Sequence, residues 1–417
     1  MNLKLSYNLP TIKTNLQISG SKSETNRLLV LQALYPNLVL ENTSSSDDSE
    51  VMLNALQNFQ LPTSNFQLVD VHHAGTAMRF LTAYFAIQEG REVIVTGSPR
   101  MKERPIKILV DALQQLGAEI TYEEKEGFPP LRIRGNKIVK NRVALPANVS
   151  SQYISALLLI APKLENGLEL VLEGEITSLP YIKMTLALLH QIGVTTLFEN
   201  NTIKVTHHPS AITHFPITVE SDWSSASYWY SIVAMSEIGF QVTLSNFKKN
   251  SLQGDNALVV LYKDFGVGTT FNAEETITIS KINSNTPKQV VFHLASNPDL
   301  AQTIAVSCFG LGIGCQLTGL HTLKIKETDR LVALQTELTK LGAEVQVTSE
   351  ALLLQPAANI KSDIVISTYQ DHRMAMAFAP LALKTTLTIE EAEVVSKSYP
   401  NFWNDLKQVG FEIIAVD

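Results

Sequence analysis

The sequence predicts an α/β protein assembled from repeated units of about 70 residues. The first observation is a recurring pattern: an apolar segment with helical period, then Gly, then a short β-rich run. It reads ILVDALQQLGAEITY around Gly117, TLALLHQIGVTTLF around Gly193, VVLYKDFGVGTTF around Gly266, VALQTELTKLGAEVQV around Gly342 and FWNDLKQVGFEIIAV around Gly410. The second is the spacing, since the glycines lie 76, 73, 76 and 68 residues apart. The third is a further copy, VMLNALQNFQLPTS at Val51 to Ser64, which lacks the Gly and stands only 58 residues ahead of the next.

A helix stopped by Gly just past its last turn and followed by a strand accounts for each copy. Chance similarity of amphipathic helices would explain two copies but not five at near-constant spacing. Six units fill the 417 residues, grouped as two three-unit lobes, with the first unit shortened by one hairpin. The length agrees with a prior of two to three domains.

Composition narrows the class. Apolar residues make up 45% and charged residues 18%, enough for large cores and incompatible with a disordered or collagen-like chain. Lys and Arg number 33 against 40 Asp and Glu, a net charge of −7, which argues against nucleic-acid and anionic-membrane partners. Any anion must be met by locally placed bases. The two cysteines, Cys308 and Cys315, lie in an Ala/Gly/Leu stretch with neither a disulfide framework nor a zinc pattern, so a reducing compartment is expected. The opening MNLKLSYNLPTIKT has no apolar run of signal length, and the stretch Leu300 to Leu317 is too often interrupted by polar residues and glycine to span a bilayer. A cytoplasmic protein is expected.

The chemistry gathers at helix starts. Ser19-Gly-Ser-Lys-Ser-Glu-Thr-Asn-Arg27 precedes the apolar run LLVLQAL, so free backbone N–H groups with Lys22 and Arg27 would attract an anion. The spacing of a P-loop is absent. His73-Ala-Gly-Thr-Ala-Met-Arg79 repeats the design, with Gly75 permitting close backbone approach. Arg100-Met-Lys-Glu-Arg-Pro105, Ser150-Ser-Gln152, Ser221-Asp-Trp-Ser-Ser-Ala-Ser227 and Asp371-His-Arg-Met-Ala-Met-Ala377 also stand at helix starts. In Lys324-Ile-Lys326-Glu-Thr-Asp-Arg330 the i, i+4 relation puts Lys326 and Arg330 on one helix face, which costs stability unless an anion sits between them. Taken singly, each stretch reads as an ordinary cap or a solvated charge run. Together, bases beside Gly, Ser or Thr at five or six helix starts of an acidic protein describe a site for highly anionic small molecules. Each such contact is worth on the order of 4 kcal/mol before desolvation. Asp299 and Glu327 among these bases would supply acid–base chemistry.

SGSKSxTNR, AGTAMR, RMKERP, SSQ, SDWSSAS, NSLQGD, KETDR and DHRMAMA occur in the order found in the 5-enolpyruvylshikimate-3-phosphate synthases, and the chain resembles that family from about Leu16 to Trp403. The resemblance implies a two-lobed inverse α/β barrel of six βαβαββ repeats, three per lobe. It divides the chain into residues 1–20 plus 220–417 and residues 21–219, with the substrate cleft between the lobes and closure of the lobes over it. It implies a cytoplasmic enzyme, monomeric, that joins phosphoenolpyruvate to the 5-hydroxyl of shikimate 3-phosphate through a tetrahedral intermediate and expels phosphate, with no metal and no organic cofactor. By the same resemblance Lys22 touches both substrates, Ser23 and Arg27 the shikimate moiety, and Ser150, Ser151, Ser178 and Lys326 its phosphate, with Gln152 between the two ligands. Gly75, Arg100, Arg330, Arg373 and Lys397 hold phosphoenolpyruvate. Asp299 is the base for the 5-hydroxyl, Glu327 the acid for the methylene carbon, and His372 assists.

Three departures from the family pattern stand out. Thr322 replaces a usual Asn at a shikimate contact, Phe80 follows Arg79 where Pro is common, and His73 replaces a common Asn. Phe80 bears on the phosphoenolpyruvate pocket and its sensitivity to glyphosate. The related UDP-N-acetylglucosamine enolpyruvyl transferases fit less well, because no Cys lies near RMKERP and SGSKS differs from their SGAKN. A catalytically silent anion-binding paralogue is opposed by the presence of Lys22, Arg100, Asp299 and Glu327.

Overall fold

The structure is a computed structural model describing residues 1–8, 13–60, 66–148, 150–210 and 216–416. The chain folds as two compact units, one formed by residues 1–19 and 220–417, the other by residues 20–219.

In the first unit, strands gather into three four-stranded sheets that follow one rule. Gln289–His293 pairs parallel with Gly314–Thr318 after the intervening helix Ala301–Gly310. A second helix, Arg330–Lys340, leads to the hairpin Val345–Val347 and Ala351–Leu354, whose far strand returns antiparallel to Gly314–Thr318. This is a βαβαββ unit. The same order relates Lys13–Leu16, Gln241–Leu244, Ile277–Lys281 and Val267–Phe271. The last sheet takes Ile364–Ile366, Leu387–Ile389 and Phe411–Val416 from the end of the chain, and its fourth strand is Asn2–Tyr7 from the beginning. Alternation explains that strand: Leu3 and Leu5 point into the core and Lys4 to solvent, with Leu5 opposite both Leu387 and Ile413.

The second unit repeats the rule twice, in Phe66–Asp70, Glu92–Thr96, Leu131–Arg134 and Glu119–Tyr122, and in Arg142–Pro146, Leu168–Glu173, Thr202–Val205 and Thr196–Glu199. Its first sheet has two strands among the described residues, Leu40–Glu41 parallel to Ile217–Thr218. The helix Asp47–Gln60 is separated from the strand Phe66–Asp70 by only five residues, in keeping with the shortened first unit expected from the 58-residue spacing. Leu61–Ser64 of the atypical copy lie outside the described residues.

Each unit is organised around three helices buried over most of their length. They are Trp223–Met235, Ala301–Gly310 and His372–Phe378 in the first unit, and Lys22–Leu34, Gly75–Ala86 and Ser151–Ile160 in the second. Within each unit the three pack on one another, while amphipathic helices such as Lys107–Leu116 cover the outside. A helix buried on all sides exposes only its ends, and the motif residues sit at those ends.

The glycines of the five copies, Gly117, Gly193, Gly266, Gly342 and Gly410, all have positive φ, as helix-stopping glycines should. One helical segment is corrected. The copy before Gly266 forms a single α turn, Leu258–Leu261, between 3₁₀ turns, because Gly254 and Asp255 place the chain in a 3₁₀ turn before a longer helix can start. The apolar stretch at Leu300 to Leu317 divides into the helix Ala301–Gly310 and the strand Gly314–Thr318, and no helix among the described residues is long and apolar enough to cross a membrane.

Because Asn2–Tyr7 completes the last sheet, the first unit depends on residues at the start of the chain. Leu5→Ala is expected to cost about 2–5 kcal/mol in equilibrium urea unfolding. Lys4→Ala, on the solvent side of the same strand, should cost less than about 1 kcal/mol.

Candidate active site

In the first unit, three cations converge on one carboxylate. Asp299 lies in the 3₁₀ turn Pro298–Leu300 that leads into the buried helix Ala301–Gly310. Its Oδ1 accepts from Arg330 Nη1 at 2.8 Å and lies 3.4 Å from Lys326 Nζ, and its Oδ2 accepts from Arg373 Nη2 at 3.2 Å. Arg330, only 2% exposed, spends its other donors on Asp371 Oδ2 at 2.6 Å and Glu327 Oε2 at 2.7 Å. Three cations are thus matched by the three carboxylates Asp299, Glu327 and Asp371.

Each group is held in place by its local structure. Asp371 is the N-cap of His372–Phe378 and accepts from the Arg373 backbone N–H at 2.8 Å while its other oxygen grips Arg330. Asp329 caps Arg330–Lys340 through the N–H groups of Leu331 and Val332. The ordinary capping role is therefore real at both motifs, and it serves to aim the neighbouring arginine. The expected helical i, i+4 relation of Lys326 and Arg330 is corrected: the helix starts at Arg330, and Lys326 is extended at φ −84°, ψ −154°. The anion expected between them is the protein's own Asp299.

The electrostatics follow from burial and these partners. Burial would push the Asp299 carboxyl up, but Arg373, Lys326 and Arg330 more than reverse this and hold it well below the usual carboxylate range. Lys326 is pushed down by burial, opposed by Asp299. Beyond Arg373, Ser224 accepts from its Nη2 at 3.3 Å and donates to Asp255. Burial raises the Asp255 carboxyl to about 6, against the pull of Arg373. His372 lies beside Asp371, at 3.9 Å from Nδ1 to Oδ1, and Lys397 donates to the Gln370 carbonyl at 2.7 Å, tying down the turn before Asp371. Thr322 has a buried hydroxyl with no hydrogen-bond partner among the described residues.

In the second unit the motif residues make several separate sets of contacts. Lys22 opens Lys22–Leu34 and lies 3.3 Å from Asp48 Oδ2. Arg27, one turn on, is buried: Nε donates to Thr185 Oγ1 at 2.8 Å, Nη2 to Ser155 Oγ at 2.9 Å and Nη1 to the Ser23 carbonyl at 2.6 Å. Its guanidinium lies over the rings of Phe80 and Tyr181, and burial lowers it to about 10. Phe80 therefore continues the helix Gly75–Ala86 and floors the Arg27 site. A Cβ at Gly75 would come within 2.7 Å of Arg104 Nη1 and 2.8 Å of Arg79 Nη1, so the glycine lets two guanidinium ends lie close over this helix start. Ser150 caps Ser151–Ile160, and Gln152 Nε2 donates to Thr76 Oγ1 at 3.1 Å, joining two helix starts. Ser178, in left-handed backbone at φ +53°, precedes Leu179–Gln191. Arg100 lies on the short helix Pro99–Lys102, half exposed and paired with Glu103 at 3.0 Å. Among the described residues, no group of three or more His, Cys, Asp or Glu could hold a metal ion.

Sequence reasoning did not single out Asp48, Ser224, Asp255 or Asp371 as participants. Asp371, Asp255 and Ser224 stood inside quoted motifs, DHRMAMA, NSLQGD and SDWSSAS, but only Asp371 carried a local signal, an acid beside a base at a buried helix start. Asp48, outside every quoted motif, is tied to Lys22 only by the fold.

A profile of the family described as EPSP synthase (3-phosphoshikimate 1-carboxyvinyltransferase) matches residues 8–406. The 3-phosphoshikimate 1-carboxyvinyltransferase of Bacteroides fragilis (strain YCH46) is 45% identical, with 96% of each chain covered. That of Haemophilus influenzae (strain ATCC 51907 / DSM 11121 / KW20 / Rd) is 37% identical over 96% of this chain and 97% of its own. A solved EPSP synthase from Acinetobacter baumannii superposes with a TM-score of 0.77 over 99% of this chain and 100% of its own at 20% identity, a likeness of fold. The fold class read from the glycine-spaced repeats stands, and the chain belongs to the EPSP synthase family.

Proposed function

We propose that this chain transfers the enolpyruvyl group of phosphoenolpyruvate to the 5-hydroxyl of shikimate 3-phosphate, releasing inorganic phosphate. The observation that carries the reading is the ion cluster in which Lys326, Arg330 and Arg373 surround Asp299 with Glu327 alongside. Both substrates are multiply charged anions, and a charge-balanced cluster can receive them only by exchanging its own carboxylates for theirs.

The exchange gives Asp299 its function. While three cations hold it, Asp299 is a weak base; once Arg330 and Arg373 turn to the phosphoenolpyruvate and Lys326 to the shikimate phosphate, its basicity rises. It then takes the 5-hydroxyl proton as the oxygen attacks C2 of phosphoenolpyruvate, while Glu327 delivers a proton to C3. In the elimination C3 gives a proton back to the Glu327 carboxylate, the C2–C3 double bond re-forms, and the C2–O bond to phosphate breaks, the phosphate leaving with the bonding pair and taking up the proton held by Asp299. Lys22, His372 and Lys397 stabilise charge in these steps, with Gly75, Arg100 and Gln152 holding phosphoenolpyruvate and Ser23, Arg27, Ser150, Ser151, Ser178 and Thr322 holding the shikimate moiety and its phosphate. Once turned to the substrates, these cations, with the helix N-termini, stabilise the charge that develops on the transferred groups.

Purified protein should release phosphate from phosphoenolpyruvate only when shikimate 3-phosphate is present. Release without it, or equally with UDP-N-acetylglucosamine, would contradict the assignment. Asp299→Asn should lower kcat by about 10²–10⁴-fold with the fold intact by circular dichroism. Arg330→Ala strands buried carboxylates and is expected to cost about 3–5 kcal/mol in urea unfolding as well as activity.

A further inference from the structure

Within the first unit, one side of the helix Arg330–Lys340 grips the segment 365–371 at three levels. At the helix start Arg330 holds the Asp371 carboxylate at 2.6 Å. Seven residues on, Glu337 accepts from the Tyr369 hydroxyl at 2.5 Å through Oε1 and from the Ser367 backbone N–H at 3.2 Å through Oε2. At the helix end Lys340 donates to the Val365 carbonyl at 3.3 Å and to Glu337 Oε2 at 2.7 Å. Residues spaced by seven and three share a helix face, so helix and segment run side by side. Glu337 is wholly buried, and Lys340 balances its charge.

What Glu337 holds is a turn that its own residues disfavour. Residues 368–371 form a β-turn closed by the Asp371 N–H on the Thr368 carbonyl at 2.9 Å, and its central residues, Tyr369 and Gln370, have φ of +56° and +58°. Positive φ at both positions marks a type I′ turn, ordinarily filled by Gly, Asn or Asp. Left-handed backbone at a side chain as bulky as tyrosine persists only where the surroundings impose it. Two groups of the candidate site hang on this turn. Asp371 follows it directly, capping the helix of His372 and Arg373 while it holds Arg330, and Gln370 offers its carbonyl to Lys397 at 2.7 Å. A relaxed turn would move both at once.

We propose that Glu337 and Tyr369 are positioning residues for phosphoenolpyruvate binding: their hydrogen bond holds the left-handed turn in the register that presents Asp371 to Arg330 and the Gln370 carbonyl to Lys397. The inference rests on the function proposed above, in which Arg330, Arg373 and Lys397 hold phosphoenolpyruvate. It separates the two substrates, because the residues assigned there to the shikimate moiety and its phosphate do not hang on this turn.

The test compares the natural protein with Tyr369→Phe, which removes only the hydroxyl of a ring at the surface, and with Leu5→Ala, which destabilises the same unit away from the turn. In Tyr369→Phe the KM for phosphoenolpyruvate should rise about tenfold, with the KM for shikimate 3-phosphate and kcat changed by less than about threefold. In Leu5→Ala both KM values should stay within about twofold of the natural protein. An unchanged KM for phosphoenolpyruvate in Tyr369→Phe, an equal rise for both substrates, or the same rise in Leu5→Ala would overturn the proposal. Amide hydrogen exchange followed by NMR reads the turn without turnover. The Asp371 and Arg373 amides, bonded to the Thr368 carbonyl and to Asp371 Oδ1, should exchange about tenfold faster in Tyr369→Phe relative to amides inside Ala301–Gly310. Unmoved relative rates would overturn the proposal. If the natural protein shows no turnover, the functional reading fails, and the exchange rates still decide whether Tyr369 holds the turn.

Discussion

The contact on which the site depends is the grip of Arg330 on three carboxylates at once. A guanidinium offers donors in a fixed planar fork, and here they reach Asp299, Glu327 and Asp371 at 2.6–2.8 Å from a position almost wholly withdrawn from water. Removing any one partner would leave a buried charge uncompensated, so the members fix one another. Asp371 is shared with a helix cap and Asp299 with a buried helix entry, and the cluster is therefore tied to two of the three central helices of its unit.

That arrangement reconciles two demands that usually conflict. A site for polyanions needs concentrated positive charge, which is costly to fold, and a general base needs an available carboxylate, which cations suppress. Balancing three cations with three carboxylates allows the site to fold as a neutral cluster. In the function proposed above, the carboxylate that compensates this charge, Asp299, is also the base, released when substrate anions take over its cations. In the second unit Lys22 and Asp48 follow the same logic on a smaller scale, a cation beside a buried carboxylate.

How much of this was legible in the sequence depended on range. Five glycines marked helix ends because positive φ is a local requirement, and the 58-residue interval marked a shortened first unit because a repeat that loses strands loses residues. The apolar helices behind the motifs were equally plain. Local reasoning failed where a neighbour overrode propensity: the segment before Gly266 shrank to one turn, and Lys326 left the helix that its spacing with Arg330 suggested. Contacts such as Asp48 with Lys22, or Ser224 between Arg373 and Asp255, join residues far apart in the chain and carry no periodic signal.

The most direct test of the account is the protonation of Asp299 itself, followed by carboxyl-carbon NMR in aspartate-labelled protein and assigned with Asp299→Asn. In the free protein its resonance should stay flat from neutral pH down to about pH 4, and it should titrate within that range once shikimate 3-phosphate and an unreactive phosphoenolpyruvate analogue are bound. A resonance that titrates at the ordinary aspartate position without ligand, or that stays flat when both are bound, would contradict the idea that substrate anions free the base by taking over its cations.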